Sequence, residues 1–326
     1  MRVLRSAAIA ALLFAAGCSC TSDEPPPEAP SPRPVPEVVS EAGWSLRAVL
    51  PEQGVPAAAA FEVGGDGLWL AAPDGTSARR VAPDGTFTEP LRFGRTSRVA
   101  SLLADRTGDT TRVTALDVAG RRLIEVMVGP AGPAEPRSEA LVGARPPGSL
   151  DRGEAGSVVV LDPTRRPLVD GAHPAVRGLA IPGNRRARAG LSNAGPTLFV
   201  TGADGVPRRI LLAAIPKAQT VRWVGVDANG KPWLIAETGP RDARVKHAVR
   251  VDLEGRVLER AAPPEIDDTK GPAGPGKGSG RVVAAVDSEG RLAWVAPGER
   301  GIEVHVYRPG VEGRGLPQVE VGPPAK

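Results

Sequence analysis

The chain has 326 residues, of which 41% are hydrophobic and only 3% aromatic, so a sizeable core has to be built from Val, Leu, Ile and Ala. With 40 Gly and 35 Pro spread along it, long helices are disfavoured and short strands joined by turns are expected. The formal charge of +4 falls to +2 once Arg2 and Arg5 leave with the leader argued below, which removes any general case for a nucleic-acid partner.

Arg2 and Arg5 precede an uncharged Ala- and Leu-rich run over residues 6–17. The run is too short for a hydrocarbon layer of about 30 Å, and predicts a secretory signal over residues 1–17. The competing reading is a buried N-terminal helix. Ala15-Ala16-Gly17-Cys18 resembles the bacterial lipobox. That resemblance implies a thioether lipid and an acylated amine on Cys18, and several acyl chains anchor stably where one is marginal. It places the protein in the cell envelope, facing periplasm or surface, and Ser19 after the cysteine favours the outer membrane. Cys20 is the only other cysteine, so the folded part is expected to hold no disulfide, and Cys20 is a free thiol or pairs with another molecule. Residues 18–43 then form a tether in which Pro25, Pro26, Pro27, Pro30, Pro32, Pro34 and Pro36 prevent helix and sheet. About 15 residues of polyproline II at ~3.1 Å each would hold the next domain roughly 45 Å from the lipid, and a disordered tether would serve almost as well.

From Trp44 the pattern is strand, Asp-x-x-Gly or Asp-Gly turn, strand. Asp bonds its own nearby backbone and Gly accepts a positive φ, which is what such turns need. Hairpins are expected over residues 61–72, 79–91, 112–128 and 157–169, with less regular strands at 196–202 and 208–214. The clearest repeat runs over residues 224–258, and its first hairpin recurs at 282–295. This stretch resembles an NHL-type β-propeller repeat, with Asp227, Gly230, Trp233, Ala236, Asp252 and Gly255 at matching places and Glu237 where the repeat usually has Asp. In the last unit Asp287, Gly290 and Trp294 match, but Trp294 is one residue later than Trp233, which implies a bulge or a changed facing. The resemblance covers roughly 75 residues and implies a fold without a chemistry.

Unit starts near Phe61, Val99, Val158, Leu191, Val224 and Val282, with blades of ~40–45 residues, predict an all-β chain: a β-propeller of about six four-stranded blades over residues 44–322, followed by a tail at 323–326. Residues 44–50 are expected to add a strand to the last blade and close the ring; an open two-sheet sandwich is the alternative. Residues 261–280, low in hydrophobics, are expected to form a mobile loop. The Asp-x-x-Gly turns at 227–230 and 252–255 should share one face, with long segments at 171–175, 182–188, 238–247 and 261–280 on the other. That second face is where binding is expected.

The candidate binding residues are Arg185, Arg186, Arg188 and Glu237. The arginines, with Arg165 and Arg166, have the forked donors that suit phosphate or a lipid headgroup, and equally suit solvated turns. Asp151, Glu154, Asp170 and His173 have a loose metal-ligand flavour but read more simply as loop residues. His247 and His305 stand apart, His305 on a strand face. No Gly-x-Ser-x-Gly, His-Glu-x-x-His, P-loop or Cys-pair motif is present. The expectation is a monomeric, non-catalytic lipoprotein, without cofactor or metal, whose propeller binds an envelope protein or glycan. The alternative is a propeller hydrolase or lactonase with a divalent metal in its central channel.

Overall fold

The computed structural model describes residues 43–51, 54–143, 145–152, 157–168, 179–182, 185–202, 204–215, 217–240, 245–264 and 282–310. All of them belong to one compact unit, Val39–Lys326. Cys18, Cys20, the tether up to residue 42, the 171–175 segment, residues 265–280 of the expected loop, residues 311–322 and the tail lie outside the described residues, as do Glu154, Asp170 and His173. Ala261, expected to open that loop, ends a strand instead.

The described residues form strands and turns with no helix. The first blade is β2 (Ala59–Val63), β3 (Leu68–Ala71), β4 (Ser77–Val81) and β5 (Leu91–Arg92). The second is β6 (Val99–Thr107), β7 (Thr110–Asp117), β8 (Arg122–Gly129) and β10 (Arg137–Ala140), with β9 (Gly132–Pro133) folded onto β8. The third contributes β11 (Ser149–Arg152) and β12 (Val158–Leu161), which Pro167 and Leu168 extend through a bridge to Leu161 and a bond to Val160. The fourth is β13 (Leu179–Ile181), β14 (Arg185–Ser192), β15 (Gly195–Thr201) and β16 (Pro207–Leu211). The fifth is β17 (Thr220–Val226), β18 (Pro232–Thr238), β19 (Val245–Val251) and β20 (Val257–Ala261). The sixth is β21 (Val283–Val286), β22 (Leu292–Gly298) and β23 (Gly301–Tyr307), completed by β1 (Trp44–Leu50).

This is a six-bladed propeller. Each blade is an antiparallel meander, with β2, β6, β11, β13, β17 and β21 as the inner strands. The blades touch in turn through β2 and β6, β6 and β11, β11 and β13, β14 and β17, and β17 and β21, with β2 and β21 closing the circle. Closure occurs as the sequence implies: β1 pairs with β23, Trp44 opposite Tyr307 and Leu50 opposite Ile302. From β1, Arg47 also reaches into the first blade, donating to the carbonyls of Ala82 (2.9 Å), Val81 (3.1 Å) and Asp66 (2.5 Å). Strands from opposite ends of the chain thus remove the free edges an open sheet would leave.

The core lies between blades. Ala48, Leu50, Phe61, Leu68, Val283, Val295 and Val304 fill the seam where sixth meets first. The one-residue offset of Trp294 is a changed facing, not a bulge in its hairpin. Gly225 pairs with Trp233, and Ala284 with Trp294, without a register shift in the latter hairpin. Because successive side chains point to opposite faces of a sheet, the offset turns Trp294 back toward the fifth blade while Trp233 points forward to the sixth. Both therefore enter one core, fully buried, with Tyr307 and Trp44 beside them. Trp44 lies 6.3 Å from Trp294, edge-on, and Tyr307 5.6 Å from Trp233.

Two expected unit starts are second strands, not first ones. Val158 opens β12 and Leu191 lies late in β14. The strand that β14 makes was missed because R-R-A-R-A-G-L-S alternates Arg with Ala and Gly. Only Ala187 of this run is fully buried, so it carries no conventional apolar stripe.

Candidate functional site

In each blade the turns from first to second and from third to fourth strand lie on one face, here the turn face. The second-to-third turns and the blade connectors lie on the opposite, connector face. The turns at 227–230 and 252–255 share the turn face as expected, being the β17–β18 and β19–β20 connections. The chain also joins the propeller there, since Gly43 precedes β1 and packs on Tyr307 at the end of β23.

The Asp-x-x-Gly turns are closed from within. The Oδ1 of Asp227 accepts the N–H groups of Asn229 and Lys231, both at 2.9 Å. Asp252 does the same for Glu254 and Arg256, and Asp287 for Glu289 and Arg291. Their second oxygens take Arg250, Arg256 and Arg291 respectively. Asp162 repeats the arrangement with Thr164, Arg166 and Arg145, but Arg165 occupies the glycine place at φ 65°. These carboxylates are structural, with no oxygen left to act on a ligand.

The inner strands hold three further carboxylates among the described residues. Glu62 on β2, its side chain fully buried, accepts from Arg80 Nη2 at 2.9 Å and Nε at 3.2 Å, Thr111 Oγ1 at 2.5 Å, Trp69 Nε1 at 3.5 Å and the Gly67 N–H at 3.3 Å. Burial pushes its carboxyl up, yet the bonds from Arg80 and Thr111 outweigh it and hold the group below its ordinary value. Asp105 on β6 pairs with Arg152 of β11 and, at 3.5 Å, with Arg112. Asp151, on β11, accepts the Ala180 N–H of the fourth blade at 2.7 Å, and burial raises its carboxyl against that bond and the fields of Arg186 and Arg165. Among the described residues no group of three or more His, Cys, Asp and Glu stands together as a metal-binding set.

The sequence-predicted residues do not converge. Arg185, Arg186 and Arg188 lie on β14 instead of a connector-face loop. Arg185 starts that strand at the turn face, near Gly230: a Cβ there would sit 3.9 Å from its guanidinium. The expected position of 182–188 on the connector face is therefore corrected, because these residues connect β13 to β14, a first-to-second turn. Arg188 lies over the Phe199 ring at 3.8 Å, and Arg186 and Arg165 both act on Asp151 through their fields. Glu237 lies in the next blade at the connector-face end of β18, 4.0 Å from Lys246. The expected 238–247 loop shortens to 239–244, since Thr238 ends β18 and Val245 starts β19. His247 is held by Thr238 at 2.9 Å, with burial and Arg260 lowering its pKa, and His305 sits on β23 with Glu303 at 2.8 Å.

The connector face of the first three blades carries what the sequence reading overlooked. Asp117, fully buried, accepts the N–H groups of Gly120 and Arg98 at 3.0 Å each and pairs with Arg122 at 2.9 Å. Burial raises its carboxyl, and these donors together bring it below the ordinary value. Above it opens a depression of about 340 Å³ lined by Thr96, Asp117, Ala119, Gly120 and Arg122. Arg92, Arg95, Arg98 and Arg145 are exposed around it. The signal was present as L-R-F-G-R-T-S-R over residues 91–98, three arginines at three-residue spacing.

The chain matches no family model and no curated protein. Solved structures similar to it include a virginiamycin B lyase from Staphylococcus aureus, 12% identical with a TM-score of 0.44, covering 82% of this chain and 89% of that one. A gluconolactonase from Xanthomonas campestris is 16% identical with a TM-score of 0.30, over 80% and 79% of the two chains. A member of the DUF4221 family from Bacteroides vulgatus is 9% identical with a TM-score of 0.47, over 82% and 98%. At these identities and scores, none of the three likenesses carries an activity over to this propeller.

Proposed function

We propose that the protein is an envelope lipoprotein, anchored through lipid on Cys18, whose propeller is a non-catalytic binding or scaffold module for a protein or glycan partner. One observation carries the non-catalytic part. The buried carboxylates Glu62, Asp117 and Asp162 are each engaged by arginine and N–H or O–H donors, and all three are held below their ordinary pKa. A general acid or base needs a carboxyl tuned toward working pH and open to substrate. These three are tuned the other way and closed in, and Asp151, which burial raises, is engaged by the Ala180 N–H at 2.7 Å. The competing reading, a hydrolase with a divalent metal, needs convergent oxygen or imidazole donors, and Glu62 and Asp105 on the inner strands are already paired with arginines. The NHL resemblance of residues 224–258 agrees with the binding reading, because those motifs build turns and leave recognition to loops.

Two measurements test the proposal. Cys18→Ala should move the protein from the membrane fraction to the soluble fraction, and a variant that stays with the membrane after peripheral proteins are extracted defeats the lipid anchor. Metal analysis of the full chain should find no stoichiometric divalent ion; one bound per propeller together with lactone hydrolysis defeats the non-catalytic reading.

A further inference from the structure

The geometry points to an anionic glycan as the partner, docked on the connector face of the first three blades. This inference rests on the binding-module reading and names its ligand class. Among the described residues the segments meeting there contribute Arg92, Arg95, Arg98, Arg121, Arg122, Arg145, Arg165 and Arg166, against Asp74, Asp117 and Asp162. Asp117 and Asp162 are buried, while Asp74 is exposed and feels the field of Arg98. Asp117 is committed to Gly120, Arg98 and Arg122, Asp162 to its turn and Arg145, and Asp74 to the N–H and hydroxyl of Thr76 at 3.0 and 2.9 Å. Arg121 is spent on the carbonyls of Gly143 and Arg145. What faces solvent is a row of guanidinium groups from Arg92 to Arg98 beside the depression over Asp117, Arg98 giving one of its N–H groups to the Ser97 carbonyl at 2.9 Å. Among the described residues neither Arg95 nor Arg98 has a carboxylate at ion-pair distance.

Guanidinium forks match carboxylate and phosphate geometry, and a field of one sign concentrates an anionic polymer before contact. Two features favour a glycan over other polyanions. Phe93, the aromatic residue of this stretch, is buried, so the row offers no ring on which nucleic-acid bases could stack. The chain also enters at the opposite, turn face, where Gly43 meets Tyr307. An anchored propeller can then present the arginine row away from its own attachment point, toward a polymer and not toward the lipid surface.

The test uses the full-length chain in neutral detergent, with polygalacturonate as the probe and neutral dextran as its control. Salt is set at about 0.02 M and about 0.5 M, on either side of the ~10 Å screening length found at 0.1 M. The triple variant Arg92→Ser, Arg95→Ser, Arg98→Ser should weaken polygalacturonate binding at low salt by about tenfold or more, one such factor being 1.4 kcal/mol. A charge-matched triple on the exposed outer strands, Arg137→Ser, Arg208→Ser, Arg209→Ser, should stay within about twofold of wild type. Equal weakening by both triples overturns the inference, since bulk charge alone then explains binding. Absence of wild-type binding at low salt overturns it as well. If the row triple loses phosphatidylglycerol vesicles but keeps polygalacturonate, the surface reads lipid and the glycan assignment fails. Dextran binding that survives the row triple refutes this ligand class while leaving the binding-module reading intact.

Discussion

Glu62 offers the sharpest test of how this propeller is held together. Its carboxylate links four strands of two blades: β2, β3 through Trp69, β4 through Arg80, and β7 through Thr111. Replacing it with Gln keeps the volume and removes the charge. The amide oxygen can still face Arg80 and Gly67, and the Thr111 hydroxyl can rotate to accept from the new amide nitrogen. The Trp69 N–H then faces a donor, and Arg80 loses its counter-charge. A hydrogen bond to a charged group is worth about 1.5–3 kcal/mol, so Glu62→Gln should cost about 2–3 kcal/mol. Glu62→Ala and Arg80→Met each leave the other partner stranded, and each should cost about 3–5 kcal/mol. At about 2–4 °C per kcal/mol for a domain of this size, Glu62→Gln lowers the thermal midpoint by roughly 4–12 °C. Urea unfolding of the two single variants and of Glu62→Gln with Arg80→Met completes the cycle. The double variant should lose less than the sum of the two single losses by about 1.5 kcal/mol or more. A Glu62→Gln protein within about 0.5 kcal/mol of wild type, or strict additivity with Arg80→Met, refutes the reasoning.

Packing and titration give three other predictions. Gly225 sits where the fifth and sixth inner strands approach closely, and a Cβ there would meet Val286 Cβ at 3.0 Å. Gly225→Ala should therefore cost about 1–3 kcal/mol by overpacking, with Val286→Ala in the same chain recovering part of it; a neutral Gly225→Ala or an absent rescue contradicts this contact. Glu62, Asp117, Asp162 and Asp252 are all held below their ordinary values of 4.5 for Glu and 3.8 for Asp. A depressed carboxyl contributes stability that is complete above its unfolded value and is lost as pH falls through the folded one, so urea midpoints should drop from about pH 5 downward, less steeply in Glu62→Gln. Asp151 has the opposite sign: its raised carboxyl favours the fold at low pH and loses that contribution as pH rises through its folded value. Asp151→Asn should accordingly not destabilise the protein at pH 7, and a clear loss there would show that the charge itself is needed by Arg165 and Arg186.

The features legible in the sequence were those whose cause is local. An Asp that bonds the N–H groups two and four residues on, followed by a residue able to take positive φ, makes its turn from within five residues, so 227–230, 252–255 and 287–290 could be read directly. The offset of Trp294 was legible only as a bulge or a changed facing, and the unshifted register of its hairpin selects the changed facing. Closure by residues 44–50 could be read from an apolar strand left over at the start of the repeats. The rest depends on distance. β10, R-S-E-A, is exposed throughout and exists because β8 offers an edge. Glu62 finds Arg80 and Thr111 at separations of 18 and 49 residues, which no spacing rule joins. Arg185, Arg186 and Arg188 looked like a charged loop because a strand buried on small residues has the composition of one.

The division between the two faces follows from this arginine usage. Aromatics are scarce here, and arginine takes on part of the joining between strands and blades that larger side chains would otherwise supply. Arg47 and Arg291 cross from sixth to first blade, Arg152 from third to second, and Arg250 reaches both Asp227 and Glu259 within the fifth. Arg47 bonds backbone carbonyls, whereas Arg291, Arg152 and Arg250 each use a carboxylate. On the connector face of the first three blades, eight arginines meet three aspartates among the described residues. The buried two, Asp117 and Asp162, are already taken up by arginines and N–H groups, so the excess charge faces outward as Arg92, Arg95 and Arg98. A scaffold that closed all its ion pairs would have had no reason to space three exposed arginines along one short stretch. Their separation from the structural bridges is why substituting them should leave the fold standing and change only what the face can hold.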